Sequence, residues 1–154
     1  VVNRLFFAAT APEHFATLFL GVYDDATRRM RYVNCGHNAP LLARAKGGLE
    51  SLASTAPALG LIEKWTALEA EIEFRPGDTL LIYSDGVTEA RGLDDSGAAE
   101  GGDEFGETRL AESLLSRRLE PLADLPARLL AEVEGFAGPE PQDDRTLVAL
   151  RARP

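Results

Sequence analysis

The chain has 154 residues, of which 45% are hydrophobic and 27% are charged, a composition typical of one soluble globular domain with a real core. Its formal net charge is −9, so the average surface repels both the phosphate backbone of nucleic acids and anionic lipid headgroups. We therefore expect neither nucleic acid nor a membrane surface as a partner, although bound divalent cations can still invert the local field at a phosphate site. No apolar run approaches the ~20 residues of a membrane span. The single cysteine, Cys35, excludes an intrachain disulfide and favours a cytoplasmic setting.

The first elements in chain order are a helix end and two predicted hairpins. Val1–Ala11 reads as the last turns of a helix whose earlier part we expect to be absent, because the chain starts with Val and lacks the basic segment of a signal peptide. Phe15–Asp24 is rich in aromatic and β-branched residues, and Arg29–Asn34 alternates polar with apolar side chains, so the two predict a hairpin. Pro40–Arg44 resumes the strand pattern before the turn at Gly47 and predicts a second hairpin.

The next segments predict two more strands and a loop. Glu69–Phe74 alternates again, a tight turn follows, and Thr79–Tyr83 (TLLIY) is typical of a fully buried strand. Up to this point the pattern indicates an all-antiparallel sheet assembly. Leu93–Gly106 is acidic and rich in Gly and Ala, so we expect a loop there.

Two amphipathic helices and a final strand complete the predicted order. Glu107–Leu119 and Leu122–Phe136 each place leucines on one helical face, and Thr146–Leu150 (TLVAL) is an apolar strand. Strands followed by helices and a closing strand define an α+β fold class.

Two aspartate turns, each at the end of an apolar strand, are the main candidates for chemistry. Asp85 and Gly86 follow TLLIY, while Asp143 and Asp144 precede TLVAL. If those strands are neighbours, the carboxylates converge and suit a hard cation such as Mg²⁺ or Mn²⁺, with Gly86 letting the chain turn sharply beside it. Spacing alone favours the alternative that both aspartates are ordinary turn residues.

A second cluster lies in the Gly/Asn loop, where His37 stands between Asn34 and Asn38. A histidine there is a candidate general acid, but in such a loop it more often bonds its own turn, so we interpret the loop as bordering a pocket. Cys35 has no arginine-rich phosphate loop after it and is interpreted as a small apolar filler. Ser84 lacks the G-x-S-x-G context of a serine hydrolase.

Six segments, taken in order, carry a family resemblance: FATLFLGVYD, RYVNCGHNAP, APALGL, RPGDTLLIYSDGVTEAR, EFGETRL and PQDDRTLVAL. Together they resemble the SpoIIE/RsbU branch of the PPM-type metal-dependent serine/threonine phosphatases over essentially the whole chain. The most specific parts are YSDGVTEA, QDDRTLV and the GHN-x-P segment. The resemblance implies an antiparallel β-sandwich flanked by helices.

The resemblance also implies the site. Such enzymes hold two Mg²⁺ or Mn²⁺ ions and hydrolyse the phosphate ester by direct attack of water, so no catalytic residue is expected beyond the metal ligands. By position, Asp85 and Asp143 match metal ligands, and Asp144 neighbours the second of them. The loop and helix after Asp85 resemble a flap that meets the protein substrate.

The implied function is a protein phosphatase in bacterial signalling, whose substrate is a phosphoserine or phosphothreonine on an anti-anti-sigma-like regulator. The family also carries an earlier Gly-Asp-x-x-Gly-x-Gly segment whose Asp bridges both metals, and residues 1–154 contain no counterpart of it. We therefore expect part of the domain here, with metal affinity and catalysis by this chain alone severely weakened. A preceding segment, another chain or a homodimer would complete the site.

Two alternatives stay open at this point. The first is a catalytically inactive phosphatase fold that acts as a regulatory protein-binding module. The second is a general interaction domain whose likeness to a phosphatase is accidental.

Overall fold

The structure, a computed structural model, describes residues 1–92, 102–138 and 143–153. Within them the chain forms helices and antiparallel strands, which confirms the predicted α+β class. None of the helices in these ranges has both the length and the apolar composition that crossing a membrane requires. In chain order the elements are α1 (Val2–Ala9), β1 (Leu18–Asp24), β2 (Arg29–Cys35), β3 (Leu41–Ala43), β4 (Leu49–Ser51), β5 (Ala70–Glu73), β6 (Thr79–Tyr83), α2 (Asp85–Thr88), α3 (Gly106–Ser116), α4 (Leu125–Ala137) and β7 (Leu147–Arg151).

The chain divides into two compact units, one of Val1–Ala39 with Leu52–Arg75 and one of Pro40–Ser51 with Pro76–Pro154. Each unit holds one antiparallel sheet. The assignment of residues 1–154 to one domain stays a prediction. Most of the segment expected to be an acidic loop, residues 93–101, lies outside the described residues.

The first unit contains a three-stranded sheet in the order β1-β2-β5. The predicted hairpin is present, since β1 and β2 pair antiparallel from Leu18 opposite Cys35 to Asp24 opposite Arg29. Alternation along β2 buries Met30 while Arg29 is exposed, which is the half-buried pattern predicted for this strand.

The second unit contains a four-stranded sheet in the order β4-β3-β6-β7, including the second predicted hairpin, β3-β4. The central strand β6 is almost entirely buried, as its unbroken apolar run predicts. Helices α3 and α4 contribute their leucine faces to the same core, and Pro126 in the first turn of α4 suits the start of a helix. The buried side chains of this core are Leu41, Ala43, Leu81, Tyr83, Val87, Ala90, Phe105, Leu110, Leu114, Leu125, Leu129, Val133 and Ala137.

The turn between β5 and β6 also connects the two sheets. The residues between β5 and β6 lead from the sheet of the first unit into the sheet of the second, so those strands do not pair with each other. Asp78 in this turn is buried, and its carboxylate accepts hydrogen bonds from Arg44 Nη1 at 2.6 Å and from the Ala45 backbone N–H at 3.0 Å. These bonds anchor the start of β6 next to the end of β3.

Candidate metal centre

The two aspartate turns lie at the same end of one strand pair. Strands β6 and β7 are antiparallel neighbours, and their last register pair is Tyr83 opposite Leu147. One step beyond, the Ser84 backbone N–H donates to the Thr146 carbonyl at 3.1 Å. The sequence-based condition for convergence, that the two strands be neighbours, is therefore met.

The backbones of the two turns are in direct contact. A Cβ built on Gly86 would lie 2.6 Å from the Asp144 carbonyl oxygen and 3.2 Å from the Asp143 carbonyl carbon. Both neighbours are backbone atoms, which cannot rotate away as a side chain can. Only glycine therefore permits this approach.

The reason for Gly86 differs from the sequence-based expectation. Gly86 is not among the glycines with positive φ, and it lies buried inside the short helix α2 rather than in a sharp turn. Because glycine has no side chain, the backbones of the two turns can approach each other this closely. The helix α2 was itself not predicted, since four residues are too few to display a helical period.

Each candidate ligand has one carboxylate oxygen held by the next residue in the chain. Asp85 Oδ1 accepts the Gly86 N–H at 3.0 Å, and Asp143 Oδ1 accepts the Asp144 N–H at 2.7 Å. Asp85 and Asp143 are both exposed. These local bonds orient the carboxylates. Val87 anchors α2 to the core, in which its side chain is fully buried.

A pocket of about 250 Å³ opens beside this pair of turns. Two backbone hydrogen bonds, from Gly92 to Asp103 at 2.9 Å and from Phe105 to Ala90 at 2.7 Å, join the segments that carry its lining residues Arg91 and Glu104. Three carboxylates and one guanidinium line it, so its field favours a cation. The lining residues are Gly86, Glu89, Ala90, Arg91, Glu104 and Asp143.

The donor set fits a magnesium or manganese ion that keeps part of its water shell. Mg²⁺ in phosphate-processing sites is commonly held by one or two carboxylates, with waters and phosphate oxygens completing its coordination. Asp85 and Asp143 would supply such carboxylates, with Asp144 adjacent. Across residues 1–92, 102–138 and 143–153, no group of three or more His, Cys, Asp or Glu side chains forms a metal-binding cluster.

The Gly/Asn loop belongs to the first unit, whereas both aspartate turns belong to the second. Asn34 is fully buried, and its side-chain oxygen accepts the His37 backbone N–H at 2.8 Å. The His37 ring nitrogen Nδ1 lies 3.3 Å from Thr17 Oγ1. The bond to Asn34 lies within the turn of His37, whereas Thr17 is 20 residues away in sequence. A place for His37 and Asn38 near the site stays a prediction.

Cys35 is buried in a small core with Ala56 and Leu59, and burial raises the pKa of its thiol. A thiol with a raised pKa is a poor nucleophile at neutral pH, which supports its interpretation as an apolar filler.

The structural roles of two residues, Ser84 and Asn34, were not predicted from the sequence. Ser84 was weighed only as a nucleophile, whereas its hydroxyl joins the two aspartate turns at 2.8 Å from the Asp144 carbonyl oxygen and 2.9 Å from the Thr146 nitrogen. Asn34 organises its loop through its side chain and its backbone carbonyl. A small polar residue directly between a buried strand and an aspartate was the available signal for Ser84.

Comparison with known proteins identifies the class. The family model described as Stage II sporulation protein E (SpoIIE) matches residues 1–153, and the chain belongs to this family. Among curated proteins, Protein IcfG of Synechocystis is 32% identical over 139 residues, which is 88% of this chain. The chain spans only 20% of the length of IcfG.

Solved structures agree on the fold. The SiaA-PP2C domain of Pseudomonas aeruginosa is similar with a TM-score of 0.79 at 19% identity, over 97% of this chain and 56% of that one. The RsbU and RsbW domains of Rv1364c from Mycobacterium tuberculosis give a TM-score of 0.72 at 26% identity, over 89% of this chain and 36% of that one. The helices and two antiparallel sheets are thus those of PP2C-type phosphatase domains, the fold class that the resemblance implied.

Proposed function

We propose that this chain supplies part of the active site of a Mg²⁺- or Mn²⁺-dependent phosphatase that acts on phosphoserine or phosphothreonine in a regulatory protein. The observation that carries the proposal is the contact between the two aspartate turns, one after β6 and one before β7, which Gly86 permits. Two aspartates whose turns are in backbone contact, beside a pocket lined by three carboxylates and one guanidinium, have a use when they share a cation.

The metal requirement has support from proteins of the same fold. The phosphatase domain of SpoIIE from Bacillus subtilis was solved after a manganese soak, and RsbX was solved in complex with magnesium. When bound, such ions activate water and neutralise charge on the phosphoryl group. Asp85 and Asp143 of this chain would supply carboxylates to such an ion.

The substrate class is part of the same proposal. SpoIIE-family membership and the match to a structure that contains RsbU and RsbW domains support a regulatory phosphoprotein of the anti-anti-sigma type. Arg91 is the one cationic side chain among the residues that line the described pocket, and it lies 3.4 Å from Glu104 with about half of its side chain exposed. A guanidinium can bind a phosphate with two hydrogen bonds, so Arg91 is a candidate contact for the substrate phosphate.

The direct test is phosphate release by the full-length protein from a phosphoserine protein in the presence of Mn²⁺. We expect Asp85→Asn and Asp143→Asn each to reduce kcat/KM by at least about 100-fold, because each removes a charged ligand. Asp124→Asn, an equal charge change at an exposed residue that begins α4, should leave the rate unchanged. Activity that survives both ligand substitutions would refute the proposal.

A second candidate function is a regulatory protein-binding module without catalysis. The observation that favours it is that residues 1–92, 102–138 and 143–153 form no cluster of three or more metal-binding side chains. Calorimetric titration of the full-length protein separates the two candidates, because an inactive module gives no binding heat at millimolar Mn²⁺.

A further inference from the structure

The hydroxyl group of Ser84 connects the two aspartate turns. It donates a hydrogen bond to the Asp144 carbonyl at 2.8 Å and accepts one from the Thr146 backbone N–H at 2.9 Å. A serine hydroxyl has one donor and two acceptor sites, so the donor is fully used in holding the other turn. Ser84 itself directly precedes Asp85.

These bonds occur where the backbone ladder ends. Regular pairing of β6 with β7 stops at Tyr83 and Leu147, and residues 143–146 have no helix or strand structure. Beyond the ladder, the Ser84 backbone N–H makes one more bond to Thr146. Strand ends open locally at low free energy, so the segment that carries Asp143 depends on these few bonds for its position.

The close contact at Gly86 makes the hydroxyl bonds more important. Gly86 and the Asp144 carbonyl approach so closely that no side chain fits between the two turns. Gly86 permits that arrangement but supplies no attraction from a side chain. The hydroxyl of Ser84 supplies the attraction on the same backbone carbonyl, Asp144 O.

We propose that Ser84 is a positioning residue for the candidate metal site, whose hydroxyl holds the Asp143 turn against the Asp85 turn and so sets the separation of the two carboxylates. The role in cation binding rests on the proposed function, whereas the role in joining the turns does not. Serine suits this role because its hydroxyl both donates and accepts, which an alanine methyl group cannot do. Threonine keeps the hydroxyl and is the conservative replacement.

The first measurement is amide hydrogen exchange by NMR in the metal-free full-length protein. In Ser84→Ala the Thr146 N–H loses its acceptor, and we expect its exchange to accelerate at least about tenfold, while Leu80 and Leu150 inside the ladder keep their rates. Ser84→Thr should restore slow exchange at Thr146. Unchanged Thr146 exchange in Ser84→Ala would overturn the proposal.

The second measurement is the Kd for Mn²⁺ by calorimetry. Loss of a side chain that orients metal ligands costs about 10–100-fold in metal affinity, so we expect that increase in Kd for Ser84→Ala and a near-normal Kd for Ser84→Thr. Ser116→Ala is the matched control, because the Ser116 hydroxyl donates to the Ser113 carbonyl at 2.8 Å and accepts from Arg117 Nη1 at 3.2 Å, so both bonds stay at the end of α3. It should leave the Kd unchanged.

The two measurements separate the inference from the function on which it rests. Faster Thr146 exchange with an unchanged Kd in Ser84→Ala means that the hydroxyl does not position the ligands, and the inference is wrong. A wild-type protein that binds no Mn²⁺ contradicts the proposed metal site, and the exchange rates then decide alone whether Ser84 joins the turns.

Discussion

At the scale of single residues, the most demanding position is Gly86. Its backbone lies against the carbonyl of Asp144, where a methyl group has no room. Gly135 offers a direct comparison, because it lies exposed within α4 and a Cβ there would meet nothing within 4 Å. The same substitution at the two glycines should therefore have opposite effects.

We predict that Gly86→Ala lowers the free energy of unfolding by about 1–3 kcal/mol, since the turns must move apart to admit the methyl group. Gly135→Ala should raise it by about 0.5–1 kcal/mol, because alanine is the better helix former. Urea unfolding followed by circular dichroism measures both. Equal effects at the two positions would contradict the proposed close approach of the turns.

Asn34 is the second residue with a strict requirement. Its fully buried side chain accepts the His37 N–H and donates to the Leu52 carbonyl at 3.1 Å. Asn34→Asp removes the donor and sets a buried carboxylate against a carbonyl oxygen, so we predict a loss of about 3 kcal/mol in unfolding free energy. The control is Asn38→Asp, the same change at a less buried neighbour, and a similar loss in both would contradict this role for Asn34.

At the scale of elements, Tyr83 links β6 to α3. Its ring is buried in the core, and its hydroxyl donates to Glu107 Oε1 at 3.2 Å. Burial, followed by the negative charge of Glu107 and this hydrogen bond, raises the pKa of Tyr83 above its ordinary value. The unfolded chain therefore releases this proton at a lower pH than the folded chain does.

A pKa that is raised in the folded state gives a definite sign to the pH dependence. The contribution of Tyr83 is fully present below the pKa of an unfolded tyrosine, about 10, and is lost as the pH rises above it. We predict that Tyr83→Phe lowers the free energy of unfolding by about 1 kcal/mol at pH 7, because the hydrogen bond to Glu107 is lost. Above pH 10 the free energy of unfolding of this variant should fall less steeply with pH than that of the wild type. Unfolding curves between pH 7 and 11 that stay parallel for the two proteins would exclude this effect.

Most elements were predictable because they have a clear hydrophobic period. The β1–β2 and β3–β4 hairpins, the buried strand β6 and the two leucine-faced helices all follow from alternation or helical spacing. The assignment of β5 and β6 to different sheets was not predictable, since β5 pairs with β2 and β6 pairs with β3 and β7, which are distant in sequence. Local pattern carries no information about such pairings.

The candidate site was predictable only in part. Asp85 and Asp143 were predicted as candidates because they are aspartates at strand ends. Their strands β6 and β7 are neighbours, which was the condition for the two carboxylates to converge. The need for glycine at position 86 and the hydrogen bonds of Ser84 could not be predicted, because both depend on contacts between turns that are far apart in sequence. The Ser84 to Asp144 bond, for example, joins residues with a separation of 60. A motif identifies such residues, but their physical role requires the three-dimensional contact.

At the scale of the whole molecule, each of the two units has its own sheet, and the aspartate turns both belong to the second. The net charge of −9 disfavours anionic partners in general, so a phosphorylated substrate requires a bound cation at the site. We propose that Asp85 and Asp143 hold that divalent cation.

The most direct test is electron paramagnetic resonance of Mn²⁺ titrated into the full-length protein, in which bound ions lose the signal of the free ion. We predict that the wild type removes free Mn²⁺ from solution and that the double variant Asp85→Asn, Asp143→Asn leaves it free, with Asp124→Asn behaving as the wild type. Equal uptake of Mn²⁺ by the wild type and the double variant would contradict the claim that these two aspartates form the metal site.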